Sequence, residues 1–231
     1  QEKLDAKMFL EDVAATLKQV LEDLLKAKLG SPARVILFLS SPFVAGQLDL
    51  LQQKAKEPFK VTEKLVWNLI AQDLEKFKTD KQHAVVDSKI MSFKLNGYPS
   101  QVPHGQKTGD LEIAHYLSIS ATDVLKRFRA ITRSALHHEQ IEWHSASFAN
   151  FFAAKVLWPK DENFLLLDLG GEITELSIIW QGIIRETFSF PLGGHALVRD
   201  IVGRTRTSSL EAQSALSAGI IDEKKLEKVK E

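Results

Sequence analysis

The sequence predicts an α/β fold, and three observations carry the prediction. Apolar runs of about four to eight residues bounded by glycine, serine or proline recur and read as buried strands, among them Val35–Leu39, Phe164–Leu169 and Ile183–Phe190. Segments over residues 5–28, 61–77 and 121–137 instead repeat apolar residues every three or four positions, the mark of a helix with one buried face. Helix 61–77 followed by partly alternating segments at 83–95 and 111–120 makes a compact αβ unit, whose exposed edge or helix face could dock a partner.

From the N-terminus, Leu10, Val13, Leu17, Val20, Leu21, Leu24 and Leu25 form the stripe of the first helix. Gly30 and Pro32 follow it, then the fully apolar strand Val35–Leu39, after which Ser40-Ser41-Pro42 turns into what reads as a linker. Thr62 and Glu63 start the second helix, with Leu65, Val66, Leu69, Ile70, Leu74 and Phe77 along its buried side. The strand over 83–95 carries Val85, Ile90, Phe93 and Leu95 with one interruption, and 111–120 alternates in the same manner. Ser120-Ala121-Thr122-Asp123 offers a cap for the helix over 121–137, built on Val124, Leu125, Phe128 and Ile131. A short strand at 141–143 comes next, then an aromatic-rich helix over 147–156, expected to pack beneath the hairpin that carries Asp168. Gln181-Gly182 turns one strand into another, and a last helix opens at Ser208, runs through Ala218 and is ended by Gly219. Residue 1 is glutamine and the Lys/Glu-rich residues 222–231 supply no closing element, so the chain reads as a piece of something longer.

At 231 residues and 44% hydrophobic content the chain can bury a substantial core, as one large or two small domains. Thirty basic residues balance thirty acidic ones, which argues against a nucleic-acid binder that works by bulk charge. The absence of cysteine excludes disulfides and thiolate metal sites and is compatible with a reducing cytoplasm. No apolar run approaches the ~18 residues of a membrane span, and the charged N-terminus is no signal peptide.

The most informative stretch is Asp168-Leu-Gly170-Gly171-Glu172-Ile-Thr174, set between two apolar runs. Adjacent glycines remove side chains and present amide N–H groups, which suits a phosphate. A carboxylate at the strand end, Asp168, can hold a hydrated Mg²⁺ against it. A plain β-hairpin with a Gly-Gly turn would look the same. A second pair, Gly193-Gly194, follows twenty-three positions on (193 − 170) and opens a segment with helical spacing, Leu197 to Ile201.

The run from Asp168 to Thr174 resembles the phosphate-binding hairpin of the actin-like ATPase superfamily. Pro191-Leu-Gly193-Gly194-His195, with Arg199-Asp200-Ile201, resembles the element that follows it in the bacterial cell-division protein FtsA and the type IV pilus-assembly protein PilM. Asn96-Gly97-Tyr98-Pro99, Pro103-His104-Gly105 and Leu111-Glu112-Ile113 are similar to an FtsA strand pair and its connection. These runs lean towards FtsA, whereas Glu172 leans towards PilM.

The resemblance implies an actin-like (ribonuclease H-like) mixed sheet flanked by helices. Residues 1–43 would be part of a first subdomain, 44–120 a small inserted αβ subdomain, and 121–231 the return to the first subdomain and the start of the second. It implies Asp168, Gly170, Gly171, Thr174, Gly193 and Gly194 as nucleotide-binding residues, Asp168 holding Mg²⁺ through water, and no catalytic residue. It further implies a cytoplasmic adaptor at the inner face of the cell membrane, in cell division or pilus assembly, acting through protein partners or self-assembly. No nucleic acid is expected, and any membrane association is indirect or through segments outside this chain.

ATP and Mg²⁺ belong to the family, yet Glu172 stands where its members generally carry a small residue and puts negative charge beside a polyphosphate. The family's first phosphate hairpin, Asp-x-Gly-Ser/Thr, has no match before the first helix, and its adenosine-contacting glycine segment would lie beyond Glu231. The chain is therefore expected to bind ATP poorly or not at all, and to be at most a weak ATPase.

Two other functions suit the same fold. A small-molecule phosphotransferase needs a catalytic base, and none stands out; a protein-binding module that has lost nucleotide chemistry is favoured over it by Glu172. His137, His138 and His144 with Glu139 and Glu142 could gather round a metal, although histidines at a helix end also meet its last carbonyls. Trp143-His144-Ser145 lacks the Gly-x-Ser-x-Gly frame of a serine hydrolase. Arg199, Arg204 and Arg206 suit a solvated helix end or a contact with phosphate or partner, and Trp67 and Trp180 are expected to fill core or sheet surface.

Overall fold

The computed structural model describes residues 6–28, 30, 32–78, 81–137 and 140–218. The chain divides into two units, Gln1–Leu166 with Ser177–Thr187, and Leu167–Leu176 with Phe188–Glu231.

In the first unit, helix α1 (Ala6–Lys26) turns Ala14 and Leu21 inward. Strand β1 (Val35–Leu39) pairs in parallel with a strand more than a hundred residues later, Val35 standing opposite Ile141. Ala14, Leu39 and Val44 form one core with Val124, Leu125 and Phe128, the last three from a helix over Thr122–Leu136. Phe43 ties this core together, stacking on Phe9 and meeting Phe128 edge-on, both at 5.5 Å.

Between these elements lies an antiparallel four-stranded sheet. Its strands are β2 (Ala45–Lys60), β3 (His83–Leu95), β4 (Tyr98–Ser100) and β5 (Lys107–Ala121), in the spatial order β2-β5-β3-β4. Helix α2 (Glu63–Lys78) covers one face, Val66 and Ile70 packing with Val61, Leu95, Leu111 and Ile113. Central β5 is accordingly the most buried strand. Thr62 caps α2, its hydroxyl accepting the Leu65 N–H at 3.2 Å. Asn96 and Gly97, with φ of 50° and 84°, make the two-residue turn from β3 to β4.

Strand β2 falls where the sequence reads as a linker. Its Gln, Lys and Glu content suits solvent, and it is held by pairing with β5, from Ala45 opposite Ile119 to Lys54 opposite Asp110. The following helix, α3 (Thr122–Leu136), also departs from expectation. Ala121 is its N-cap and makes no side-chain cap bond, while the Ser120 hydroxyl is buried without a partner.

Strand β6 (Ile141–Ser145) runs two residues further than the sequence suggests, and α4 (Ala146–Leu157) begins at once. Ser145 serves both, because its hydroxyl accepts the Phe148 N–H that opens the helix. The third sheet, in order β7-β8-β9, consists of β7 (Phe164–Leu169), β8 (Thr174–Trp180) and β9 (Ile183–Phe190). Phe148 and Phe151 of α4 pack with Tyr116 and with Phe164, Leu166, Ile179 and Ile184 of these strands, which puts the aromatic helix under the hairpin as expected.

The second unit takes the ends of those strands and adds α5 (Gly194–Thr205) and α6 (Ser209–Ala218). Gly219 lies outside the described residues. Trp67 and Trp180 are not core residues, since they are 64% and 53% exposed. No described helix is long and apolar enough to cross a membrane.

Candidate functional site

The two glycine bends both belong to the second unit and lie directly against each other. Gly194 N–H donates to the Gly170 carbonyl and His195 N–H to that of Gly171, each at 2.8 Å. Gly170 N–H closes its own turn onto the Ile173 carbonyl at 3.0 Å. The glycines are what permit this contact. A Cβ on Gly193 would stand 2.5 Å from the Gly170 carbonyl oxygen and closer still to that of Gly171. One on Gly170 would stand 2.6 Å from the Ile173 oxygen, and one on Gly171 2.9 Å from the His195 ring.

The remaining predicted residues surround these bends. Thr174 is buried, and its hydroxyl donates to the Leu192 carbonyl, joining the hairpin to the segment before the second bend. Asp168 is half-buried, on the side of β7 that also carries Phe164 and Leu166. Glu172, directly after Gly171, accepts two hydrogen bonds from the Arg199 guanidinium at 2.8 Å and lies 3.2 Å from His195 Nδ1. Those Arg199 bonds hold its carboxyl below the usual glutamate range, against the opposing pull of partial desolvation.

This arrangement does not fit a polyphosphate. A phosphate needs open N–H donors and unclaimed positive charge. Here the N–H groups of Gly170, Gly194 and His195 are engaged within the protein, the His195 ring lies over Gly171, and Arg199 already grips a carboxylate. Arg204 and Arg206 stand exposed at the end of α5, the solvated helix end that the sequence suits. Arg204 pairs with Asp200 at 2.8 Å, and Arg206 ends α5 in the left-handed conformation.

Of the five residues considered for a metal, the three that are described do not gather round one point. His138 and Glu139 lie outside the described residues, His137 N–H closes the end of α3 on the Arg133 carbonyl, and Glu142 is bound by Arg34 at 2.7 and 3.0 Å. Among the described residues no group of three or more His, Asp or Glu side chains could hold a metal ion.

His144 instead binds Asp87, which nothing in the sequence marked out. Asp87 is 3% exposed and accepts from Ser118 Oγ at 3.1 Å and from the Ser145 N–H at 2.7 Å, with His144 Nδ1 at 2.8 Å. It locks β3 to β6 and is fully satisfied, as a buried carboxylate must be.

A serine–histidine–aspartate chain is present too, beginning at Ser88, the residue after Asp87, and not involving the Ser145 hydroxyl. Ser88 Oγ lies 2.8 Å from His115 Nε2, and His115 Nδ1 lies 2.7 Å from Asp73 Oδ2. Those spacings match a nucleophile, its base and an orienting carboxylate. Yet His115 is completely buried, and a base that no substrate reaches cannot protonate a leaving group. Lys76 bridges Asp73 to Asp49, so the whole chain of contacts pins α2 to the sheet.

A cavity of about 420 Å³ opens in the first unit, against the sheet face opposite α2. Leu50, Lys94, Glu112, Ala114, Ile183 and Arg185 are among its lining residues. Lys94 and Glu112 pair at 3.0 Å, whereas Arg185 Nε is buried with no hydrogen-bond partner. Its other contact, from a terminal nitrogen to Gln181 Oε1, is long at 3.4 Å. Sequence inspection passes over Arg185, because an arginine inside a β-strand carries no motif.

No protein-family model matches the chain, and no curated protein sequence does. Among solved structures the chain is similar to one in a PilM-PilN type IV pilus biogenesis complex, with a TM-score of 0.55 and 17% identity over 87% of this chain and 55% of that one. It also matches the ethanolamine utilization protein EutJ from Carboxydothermus hydrogenoformans, over 55% of this chain and 60% of that one at 15% identity, but the TM-score of 0.25 is too low to bear on the fold. The fold is the actin-like one expected from the sequence, and the chain spans about half the length of the PilM-PilN relative.

Proposed function

We propose that this actin-like chain is an adaptor of the FtsA/PilM kind, which holds a short segment of a protein partner and does not turn over ATP. The solved relative belongs to a type IV pilus biogenesis complex. A pilus or cell-division machine at the inner face of the membrane is the matching setting for this chain. The observation that carries the reading is the Arg185 cavity. A buried donor without an acceptor costs about 1–3 kcal/mol, more when the group is charged, and an incoming acceptor relieves that cost. Leu50, 53% exposed, supplies an apolar wall beside it, and the Lys94–Glu112 pair lends a polar edge. A volume of about 420 Å³ suits a few residues of extended peptide, not a folded domain. The poor fit of the glycine bends to a polyphosphate favours this adaptor over a phosphotransferase.

An array of immobilised peptides of about ten residues, each pairing a carboxylate with leucine or phenylalanine, tests the proposal when probed with the full chain. Captured sequences should bind Arg185→Ala at least about tenfold more weakly in titration, a loss of about 1.4 kcal/mol. Leu50→Lys should behave likewise, and Arg199→Ala should bind as the parent does. Equal capture by Arg185→Ala, or ATP turnover by the parent chain, would sink the reading.

A further inference from the structure

We infer that Glu172 is a built-in anion, its carboxylate holding on His195 and Arg199 the place that a phosphate group would take. The inference rests on reading the two glycine bends as an inherited phosphate cradle. It adds that the cradle still has its cation, Arg199, beside the His195 ring and is closed by the protein's own side chain.

The geometry supports a receptor and not a chance surface pair. Arg199 meets both carboxylate oxygens at 2.8 Å, one guanidinium nitrogen to each, the two-pronged grip that arginine offers a carboxylate or a phosphate alike. His195 Nδ1 approaches one of those oxygens from a second direction at 3.2 Å. The Glu172 side chain is only 28% exposed although its two partners are 60% and 62% exposed, so the carboxylate sits inside the cluster and the His195 ring and Arg199 guanidinium form its rim. Both partners stand on the first half of α5, whose first residue, Gly194, is hydrogen-bonded to the hairpin bend. The positive end of that helix favours an anion beside its first turn. Glu172 itself comes from the bend, one residue after Gly171, at the position where a bound phosphate would need the backbone open. A tethered carboxylate acts at an effective concentration of the order of millimolar or above, so free phosphate must compete with a group that never leaves the site.

The experiment is calorimetric titration of the full chain with inorganic phosphate and with Mg-ATP at fixed ionic strength, with thermal melts alongside. The parent chain should show no saturable phosphate binding. Glu172→Ser should bind phosphate at least about tenfold more tightly than the parent, and adding Arg199→Met should abolish the gain. Glu172→Gln, which removes the charge at nearly constant size, carries the same expectation should the serine variant fail to fold. Phosphate binding that is equal in parent and variant overturns the inference, as does a gain that survives Arg199→Met. A gain for phosphate without one for Mg-ATP leaves the built-in anion standing and removes the nucleotide ancestry of the cradle. Peptide capture through Arg185 is read separately and is unaffected by either result.

Discussion

A methyl group on Gly193 would stand 2.5 Å from the Gly170 carbonyl oxygen, a backbone atom that already accepts the Gly194 N–H. Neither bend can retreat without breaking that bond. Gly193→Ala should therefore destabilise the chain by about 1–3 kcal/mol, the range for forced overpacking. Gly203 provides the control, since a Cβ there meets nothing within 4 Å and the position is helical. Gly203→Ala should be neutral or stabilising by up to ~1 kcal/mol. Urea midpoints of the two variants settle the comparison, and equal midpoints would remove the case for bend-on-bend packing. The glycine pairs themselves were legible in the sequence because their spacing forms a motif. Their mutual hydrogen bonds were not, and neither was the partnership of Glu172 with Arg199, twenty-seven positions later (199 − 172). Side-chain partners at that separation depend on how the strands fold back, which no local pattern encodes.

Elements with an apolar period were read nearly to their ends, because the 3.6-residue period is imposed by burying one helix face. Strand β2 was not. Sixteen residues rich in glutamine and lysine become a strand through the ladder that β5 offers them, so the cause lies in another part of the chain. The β3–β4 turn shows the opposite case, in which local chemistry decides. Asn96 holds φ at 50°, and its side-chain oxygen accepts from Thr108 Oγ1 at 2.9 Å and from the Gly109 and Asp110 N–H groups at 3.1 Å. Alanine there loses all three bonds and strains the backbone; glycine loses the bonds but tolerates the angle. Asn96→Ala should cost about 2–3 kcal/mol and Asn96→Gly about 1 kcal/mol less. If the two variants denature at the same urea concentration, the positive φ contributes nothing and the turn is held by its side-chain bonds alone.

The two units differ in how much they bury, and local stability should follow that difference. In the first, Leu111, Ile113, Tyr116 and Leu117 of β5 are fully buried and the strand is paired along both edges. In the second, the buried side chains among the described residues are Thr174, Glu175 and Ala212, and α5 has none. Apolar burial supplies most of the resistance to local opening, so helices that bury little open at small cost. Amide hydrogen exchange read by mass spectrometry should therefore find α5 and α6 exchanging at least about 100-fold faster than β5, a gap of about 2.7 kcal/mol in opening free energy. The Gly194 and His195 amides should be the slowest of α5, because the opposing bend holds them. In Glu172→Ser, saturating phosphate should slow α5 further while β5 stays as it was, since a ligand protects the unit that it binds. Uniform protection across both units would mean that burial within each does not set its stability, and the contrast drawn between them would fall.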